Sequence, residues 1–406
     1  MPFFRTVLIA ATMLATTGPS YVWADDAKTV KNIVSDQPEL ISVSAARRPV
    51  SLDEIGTSIT VITEKQIQTQ QRRSLNDILV RQPGMNVVQT GGPGGTTSIF
   101  MRGNNANEVK VRIDGMDIND GSTTDGKFDA SQFTTDGMGR IEILRGPQSG
   151  LYGADAMAGV IDITTTQGQG RFKPFVRIEG GSYGTFNQTF GARGSKGRFH
   201  YNVELSHYRM ENFNNIPKYI ENYYHADHSQ RHEGNKNDNR SANIRLGYDV
   251  THNFDLGLTA RLLQSNYHSY SLYDLQSENL YGDSGVREQN TQNQAIVRGT
   301  AHLVSFHGVF DQVLGLGYMT NRNRWTESGT SYGSPINPDP NYYRSSRLKI
   351  DWHGTVNLQK YGQLLIGAEH LHDTFNTNHT ASYVWDSGYN TSASMDTTAG
   401  YGQYQG

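Results

Sequence analysis

The sequence has no cysteine in its 406 residues, which excludes disulfide staples, thiolate nucleophiles and cysteine-bound metal centres. It also lacks any run of about 20 apolar residues, the length a helix needs to cross a bilayer. Net charge is nearly absent. The 36 basic and 39 acidic residues leave −3, which offers no footprint for nucleic acid. Hydrophobic residues reach only 35% and the mean hydropathy is −0.59, a balance that alone suggests a soluble protein. That inference fails for a β-barrel, because lumen-facing residues alternate with lipid-facing ones and dilute the apolar signal. What is plentiful fits a barrel: 43 glycines and 22 tyrosines suit many turns and aromatic girdles.

Residues 1–24 read as a signal peptide. Arg5 gives the start a positive charge, Val7–Thr17 is a short apolar core, and Val22–Ala24 fits a small-residue cleavage site before Asp25. Residues 25–50 form a polar leader with no periodic pattern. Within it, Glu39, Leu40, Ile41, Ser42, Val43, Ser44 and Ala45 make one short β-prone run ahead of any folded unit.

A mixed α/β unit is expected over 51–167. Ile59–Ile62 reads as a strand. Thr63 to Gln66 is a T-x-x-Q capping box opening a helix to about Gln71. Ser74 caps a second helix over Leu75–Arg81, and Pro83 with Gly84 stops it. Strands follow at Met85–Gln89, Ser98–Arg102, Val109–Ile113, Ile141–Leu144 and Val160–Thr164. The glycine-rich Gly91–Gly95 loop is no phosphate cradle, since it lacks the Lys-Ser/Thr pair and no helix opens from it.

From Arg171 the period becomes two. Ile244, Leu246 and Tyr248 alternate with Arg245 and Gly247, and Leu348, Ile350 and Trp352 alternate with Lys349 and Asp351. Ten such strands are expected, starting near residues 171, 186, 198, 240, 254, 291, 312, 345, 363 and 399. Tight connections at Gly194–Gly197, Thr251–Asn253, His307–Asp311 and Lys360–Gly362 alternate with long polar ones at Met210–Asn239, Ser265–Asn290, Gly329–Tyr343 and Asn376–Thr397. Short turns on one side and long loops on the other are the asymmetry of outer-membrane barrels, the long side being extracellular.

Four motifs in this order carry a family resemblance: SLNDIL at Ser74–Leu79, QPGMNV at Gln82–Val87, the stretch Ile99–Gly115 containing IFMRG and IDG, and RIEILRGPQSGLYG opening the segment Arg140–Thr165. Together they resemble the plug domain of TonB-dependent outer-membrane receptors, with Ser98–Asn107 most similar to the cobalamin-receptor type. The resemblance implies an α/β plug domain over 51–167, followed from 171 to 406 by the N-terminal part of a transmembrane β-barrel. About 22 strands would be expected in such a plugged barrel, and the ten counted here imply that the chain carries less than half of it. Glu39–Ala45 resembles the TonB box, an exposed strand that a partner's sheet edge can capture.

The resemblance further implies a receptor importing a chelated iron or cobalamin ligand, with TonB and outer-membrane lipid as partners. It implies a monomer, no resident cofactor or metal, no bound nucleic acid and no enzymatic activity. Ligand-binding candidates on the plug loops are Gln89, Thr90, Thr96, Asn104, Asn105 and Asn107. Gating or structural roles are expected for Arg102, Gly103, Asp114, Gly115, Arg140, Glu142, Arg145 and Gly146. Arg102, Arg140 and Arg145 are candidates to pair with wall carboxylates such as Glu179 and Glu204, or to serve contacts within the plug. Tyr223, Tyr224, Tyr270 and Tyr273 could stack on an aromatic chelate or act as girdle residues. The His225, His228, His232 series lies in a polar loop with no fixed face, and Asp114–Gly121 departs from the spacing of a calcium loop, while calcium binding by the Asp- and Asn-rich Asp227–Asn239 stretch stays open. The leader is too short for a signalling domain, which favours transport alone. A passive channel predicts neither plug nor TonB-binding segment. A secreted β-rich hydrolase would need a nucleophile–base or paired-carboxylate motif, and none stands out.

Overall fold

The computed structural model describes residues 58–121, 125–214, 234–272, 285–331, 334–381 and 387–406. The signal peptide, the leader and Glu39–Ala45 lie outside the described residues, as do Tyr223, Tyr224, Tyr273 and the three loop histidines.

The first unit starts with β1 (Ser58–Thr63), and its end is locally determined. Thr63 stops the strand and caps helix α1 (Glu64–Thr69), accepting from the Gln66 amide while Gln66 returns a bond to the Thr63 amide at 2.9 Å. Ser74 caps α2 (Leu75–Leu79) by accepting from the Asp77 amide at 3.2 Å. β2 (Met85–Gln89) and β3 (Thr97–Met101) form a separate hairpin. β4 (Val109–Ile113), β5 (Met116–Asp117), β6 (Met138–Arg145), the single turn α3 (Ser149–Tyr152) and β7 (Gly159–Thr165) complete the unit. Its sheet runs β1-β6-β7-β4-β5, with β4 and β7 parallel and the other neighbours antiparallel. Leu75, Ile78 and Leu79 of α2 pack with Val111, Ile141, Ile143, Ile161 and Ile163 of the sheet in one core. That core also takes in Ile296 and Met319 from the strands described next.

β8 (Lys173–Gly181), β9 (Thr185–Lys196), β10 (Phe199–Phe213), β11 (Asn235–Thr251), β12 (Phe254–Leu272), β13 (Gly285–Ser305), β14 (Phe310–Ser331), β16 (Asn341–Asn357), β17 (Gln363–His379) and β18 (Tyr389–Gln405) follow in one antiparallel path. The short β15 (Ser334–Ile336) folds back on β14. Among the described residues β8 and β18 stand at opposite ends of this path. All ten expected strands are present. Several begin earlier than their hydrophobic period suggested: β11 at Asn235, β13 at Gly285, β16 at Asn341 and β18 at Tyr389. Near the long connections both faces are polar, so pairing continues where the apolar alternation has already stopped. Both ends of the expected long connections Met210–Asn239 and Asn376–Thr397 belong to strands for this reason.

The two faces of this wall invert the pattern of a soluble protein. Leu256, Leu258, Leu314, Leu316 and Ile350 are exposed, whereas Asn239, Asn243, Arg261, Arg298, Lys349 and Asp351 are buried. An exposed apolar face with a polar interior requires an apolar surrounding outside. No described helix is long and apolar enough to cross a membrane.

Candidate functional site

The polar face of the wall meets the α/β unit along a seam of charge. β4, the turn after it, and β5 present Asp114, Asp117 and Asp120 at intervals of three, and each carboxylate meets a different part of the wall. Asp114 accepts from Arg245 of β11 at 2.9 Å and from the Thr165 amide at 3.0 Å and hydroxyl at 2.8 Å. Asp117 accepts from Lys349 of β16 at 2.8 Å, and its own carbonyl accepts from Arg347 at 3.1 Å. Asp120 accepts from Asn321 of β14 at 2.6 Å and from Ser345 of β16 at 2.8 Å. The three carboxylates therefore fasten three strands of the wall, and they do not converge.

Around Asp117 the charges are buried. Arg112 reaches Asp162 at 3.3 Å and Asp117 at 3.4 Å, and Lys349 also lies 3.4 Å from Glu369. Beside them Arg298 grips Asp351 with both guanidinium nitrogens at 2.7 and 2.8 Å. Gly115 lets the turn approach that guanidinium, since a Cβ there would stand 3.3 Å from Arg298 atoms in a backbone of φ +86°. Burial alone would raise the Asp117 carboxyl, but Lys349, then Lys110, Arg112 and Arg347 outweigh it and hold the carboxyl well below its usual range. For Arg112, burial would lower the guanidinium, and Asp162 leads the charges that keep it above its usual value.

A second set of contacts lies before β6. Asp136 accepts from Thr189 at 3.0 Å and Arg177 at 3.2 Å, while the Gly137 amide donates to Glu204 at 3.0 Å. Arg261 donates to the Asp136 carbonyl at 3.4 Å and to Asn243 at 2.7 Å. Further along, Asn239 donates to the Gln132 carbonyl at 2.7 Å and Tyr267 to the Gly91 carbonyl at 2.7 Å. More exposed ties join Arg73 to Glu179 and Arg193 to Glu64.

Of the two readings of Arg102, Arg140 and Arg145, pairing with Glu179 and Glu204 of the wall is the one the structure corrects. Glu179 pairs with Arg73, and Glu204 receives the Gly137 amide with Arg177 at 3.6 Å. Arg140 instead pairs within its own unit, 2.7 Å from the fully buried Glu142. Arg102 is exposed at a φ of +53° just past β3, because the chain turns there toward Gly103. Arg145 is buried, and its Nε and Nη2 have no hydrogen-bond partner among the described residues. Gly103 and Gly146 sit in the turns that end β3 and β6, with φ of +80° and +109°.

The candidate ligand loops are separated. Gln89, Thr90 and Thr96 are exposed at the turn of the β2–β3 hairpin, near Asn237 and Tyr267 of the wall. Asn104, Asn105 and Asn107 are exposed beyond the other end of β3, so the hairpin itself keeps the two groups apart. The true neighbour of the hairpin turn is the 129–132 segment: Asp129 accepts from the Thr97 amide at 2.9 Å, and Gln132 donates to the Gly94 carbonyl at 2.8 Å. Tyr270 lies in β12, its amide donating to Asn235 at 2.8 Å. Of the Asp227–Asn239 stretch, Asn235–Asn239 belongs to β11.

Sequence reasoning missed Asp117 and Asp120 as wall contacts, and with them Arg245, Lys349 and Asp351. The last three had been visible only as polar positions alternating with apolar ones.

A folded α/β unit fastened to the polar face of an antiparallel, outwardly apolar sheet defines a plugged β-barrel wall. Residues 51–160 match the family described as the TonB-dependent receptor plug domain. Among solved structures the chain is similar to the ferric yersiniabactin uptake receptor FyuA from Yersinia pestis, at 15% identity and a TM-score of 0.56, covering 86% of this chain and 61% of that one. It is similar to FpvA of P. aeruginosa bound to heterologous pyoverdines, at 15% identity and a TM-score of 0.70, covering 89% and 51%. It is also similar to the siderophore receptor PirA from Acinetobacter baumannii, at 18% identity and a TM-score of 0.63, covering 86% and 54%. The chain thus spans between 51% and 61% of the length of these structures, and identities this low show a shared fold. Residues 51–160 thus match a TonB-dependent receptor plug domain, and the solved structures share the fold of the plug and the wall around it.

Proposed function

We propose that the protein acts in the outer membrane as an energy-coupled receptor that imports a scarce metal chelate, a ferric siderophore in the first instance. The seam carries this reading. A plug that must block a lumen and later shift has to be held by contacts that water can replace once they part, and polar contacts meet that requirement where a continuous apolar core would not. Here the wall touches the plug through polar groups such as Arg245, Lys349, Asn321, Thr189 and Asn239, and among the described residues it lends the plug core Ile296 and Met319. The siderophore receptors among the similar structures support the ligand class, with cobalamin as the competing ligand. On the plug, Gln89, Thr90 and Thr96 form the ligand-facing surface. TonB is the partner, and Glu39–Ala45 is the strand it captures.

Capture by strand addition rests on main-chain hydrogen bonds, so a proline inside the segment removes one donor and the extended pairing with it. In cells depending on this receptor, Val43→Pro should abolish chelate uptake while surface binding of the chelate persists. Uptake at the wild-type rate would refute the assignment of this segment. Growth on single ferric siderophores or on cobalamin, with and without the gene, identifies the ligand class.

A further inference from the structure

The outward face of the wall carries a group of arginines with no acidic partner among the described residues. Asn321 and Ser345 point inward to Asp120, so their neighbours Arg322 and Arg344 point outward, and both are exposed. The register sets Arg322 directly opposite Arg344, with Arg324 one row further along the same face. Like charges placed directly opposite across a strand pair oppose each other. The remaining cross-strand neighbours of these arginines are Asn293, Asn376, Thr291 and Tyr342, none of them acidic. Two other outward arginines of this wall have acidic partners: Arg240 lies 3.2 Å from Asp238, and Arg209 pairs with Glu211.

The position of the group identifies its counter-charge. Two rows below, on the side of the tight turns, the face is apolar, with Tyr318 opposite Leu348 and Leu316 opposite Ile350. Between the two zones lies a hydroxyl row in which Ser346 and Thr374 bond at 2.7 Å. A groove of about 550 Å³ joins all three levels, lined by Tyr318, Thr320, Arg322, Arg344, Ser346 and Thr374. The arginines therefore stand where the apolar band ends on the long-connection side, the level at which a bilayer presents its headgroups.

We propose that Arg322 and Arg344 hold the phosphate of a membrane lipid in the outer leaflet, with its acyl chains along Tyr318, Leu316 and Ile350. Guanidinium groups bind phosphate oxygens in bidentate fashion, and the bound anion relieves the repulsion between the two arginines. The Thr320, Ser346 and Thr374 hydroxyls add donors beneath the phosphate. This inference rests on the outer-membrane placement proposed above, but not on transport.

The test uses the full chain purified in neutral detergent, its folding checked by heat-dependent gel mobility, and titrates it with mixed micelles of bis-phosphorylated lipid A. The wild type should bind it and should bind dephosphorylated lipid A about 10-fold or more weakly, the loss expected for charge-assisted contacts. The Arg322→Gln/Arg344→Gln protein should lose that preference, and Arg322→Lys/Arg344→Lys should keep part of it. Inorganic phosphate at millimolar concentration should fail to displace the lipid, which separates a lipid site from a free-anion site. Equal binding of the two lipids by the wild type overturns the proposal even if no variant folds. So does an unchanged preference in the glutamine variant. A protein that localises to the outer membrane and takes up chelate but shows no lipid preference would sink this inference alone.

Discussion

Lys349→Met isolates the buried part of the seam. Lys349 and Asp117 are 2.8 Å apart with side chains only 1% and 2% exposed, so neither solvent nor salt screens them. Methionine keeps most of the side-chain volume and removes the charge. Breaking one partner from a buried pair costs about 3–5 kcal/mol, because the remaining charge is left without compensation. Two features move the expected cost in opposite directions. Arg112 still stands 3.4 Å from Asp117, which lowers it, while Glu369 loses a cation 3.4 Å away, which raises it. The lower end, about 3 kcal/mol, corresponds to roughly 100-fold easier local opening. The reporter is the Ile118 amide, which donates to the Val111 carbonyl at 3.0 Å next to the pair. Its hydrogen exchange, measured on the full chain folded in detergent, should accelerate about 100-fold. Adding Asp117→Asn should recover part of the loss, so the double variant falls short of the sum of the singles by about 1 kcal/mol or more. A change in exchange below about 3-fold, or strict additivity, would refute a buried electrostatic latch.

Gly159→Ala should prevent the plug from assembling, because a Cβ at φ +153° would lie 2.2 Å from the Leu144 carbonyl and 2.3 Å from Met101 Sδ. Protease digestion of folded protein should then cleave the plug while sparing the strands of the wall. Acid should weaken the seam in a defined direction. The Asp117 carboxyl is depressed in the folded protein, so its contribution is complete above the unfolded value of about 3.9 and is lost as pH falls through the lower folded value. The difference in plug stability between wild type and Asp117→Asn should therefore stay constant from about pH 5 to 8 and shrink below about pH 4. A difference that grows on acidification would reverse the assigned sign.

Local chemistry was the most legible part of the sequence. The Thr63–Gln66 box needs only neighbours three residues apart, and it forms as expected. The wall was legible through its period of two, but its ends were not. Asn235, Asn237 and Asn239 are buried toward the plug, and an asparagine facing a polar interior has the composition of a loop. The seam was the least legible. Lys349 meets Asp117 across 232 positions of sequence, and nothing local distinguishes it from any other polar position of an alternating strand. The choice between the two readings of the arginines was illegible for the same reason: Glu179 and Glu204 do face the plug, but the groups that reach them are Arg73 and the Gly137 amide.

The edge position of β1 sets the order in which the plug would yield to a mechanical load. A force applied ahead of Ser58 enters the sheet at an outermost strand joined to one neighbour by six residue pairs, Ser58 with Arg145 through Thr63 with Arg140. Loaded across its length, such a strand unzips one pair at a time. The next obstacle is Glu64 with Arg193, whose side chains are 30% and 31% exposed, a class of ion pair worth at most about 1 kcal/mol. The buried Asp117–Lys349 pair lies at the opposite edge of the sheet, on β5. Resistance therefore rises along the path of the load, so the side nearest the force can pay out chain while the far edge keeps the domain anchored to the wall.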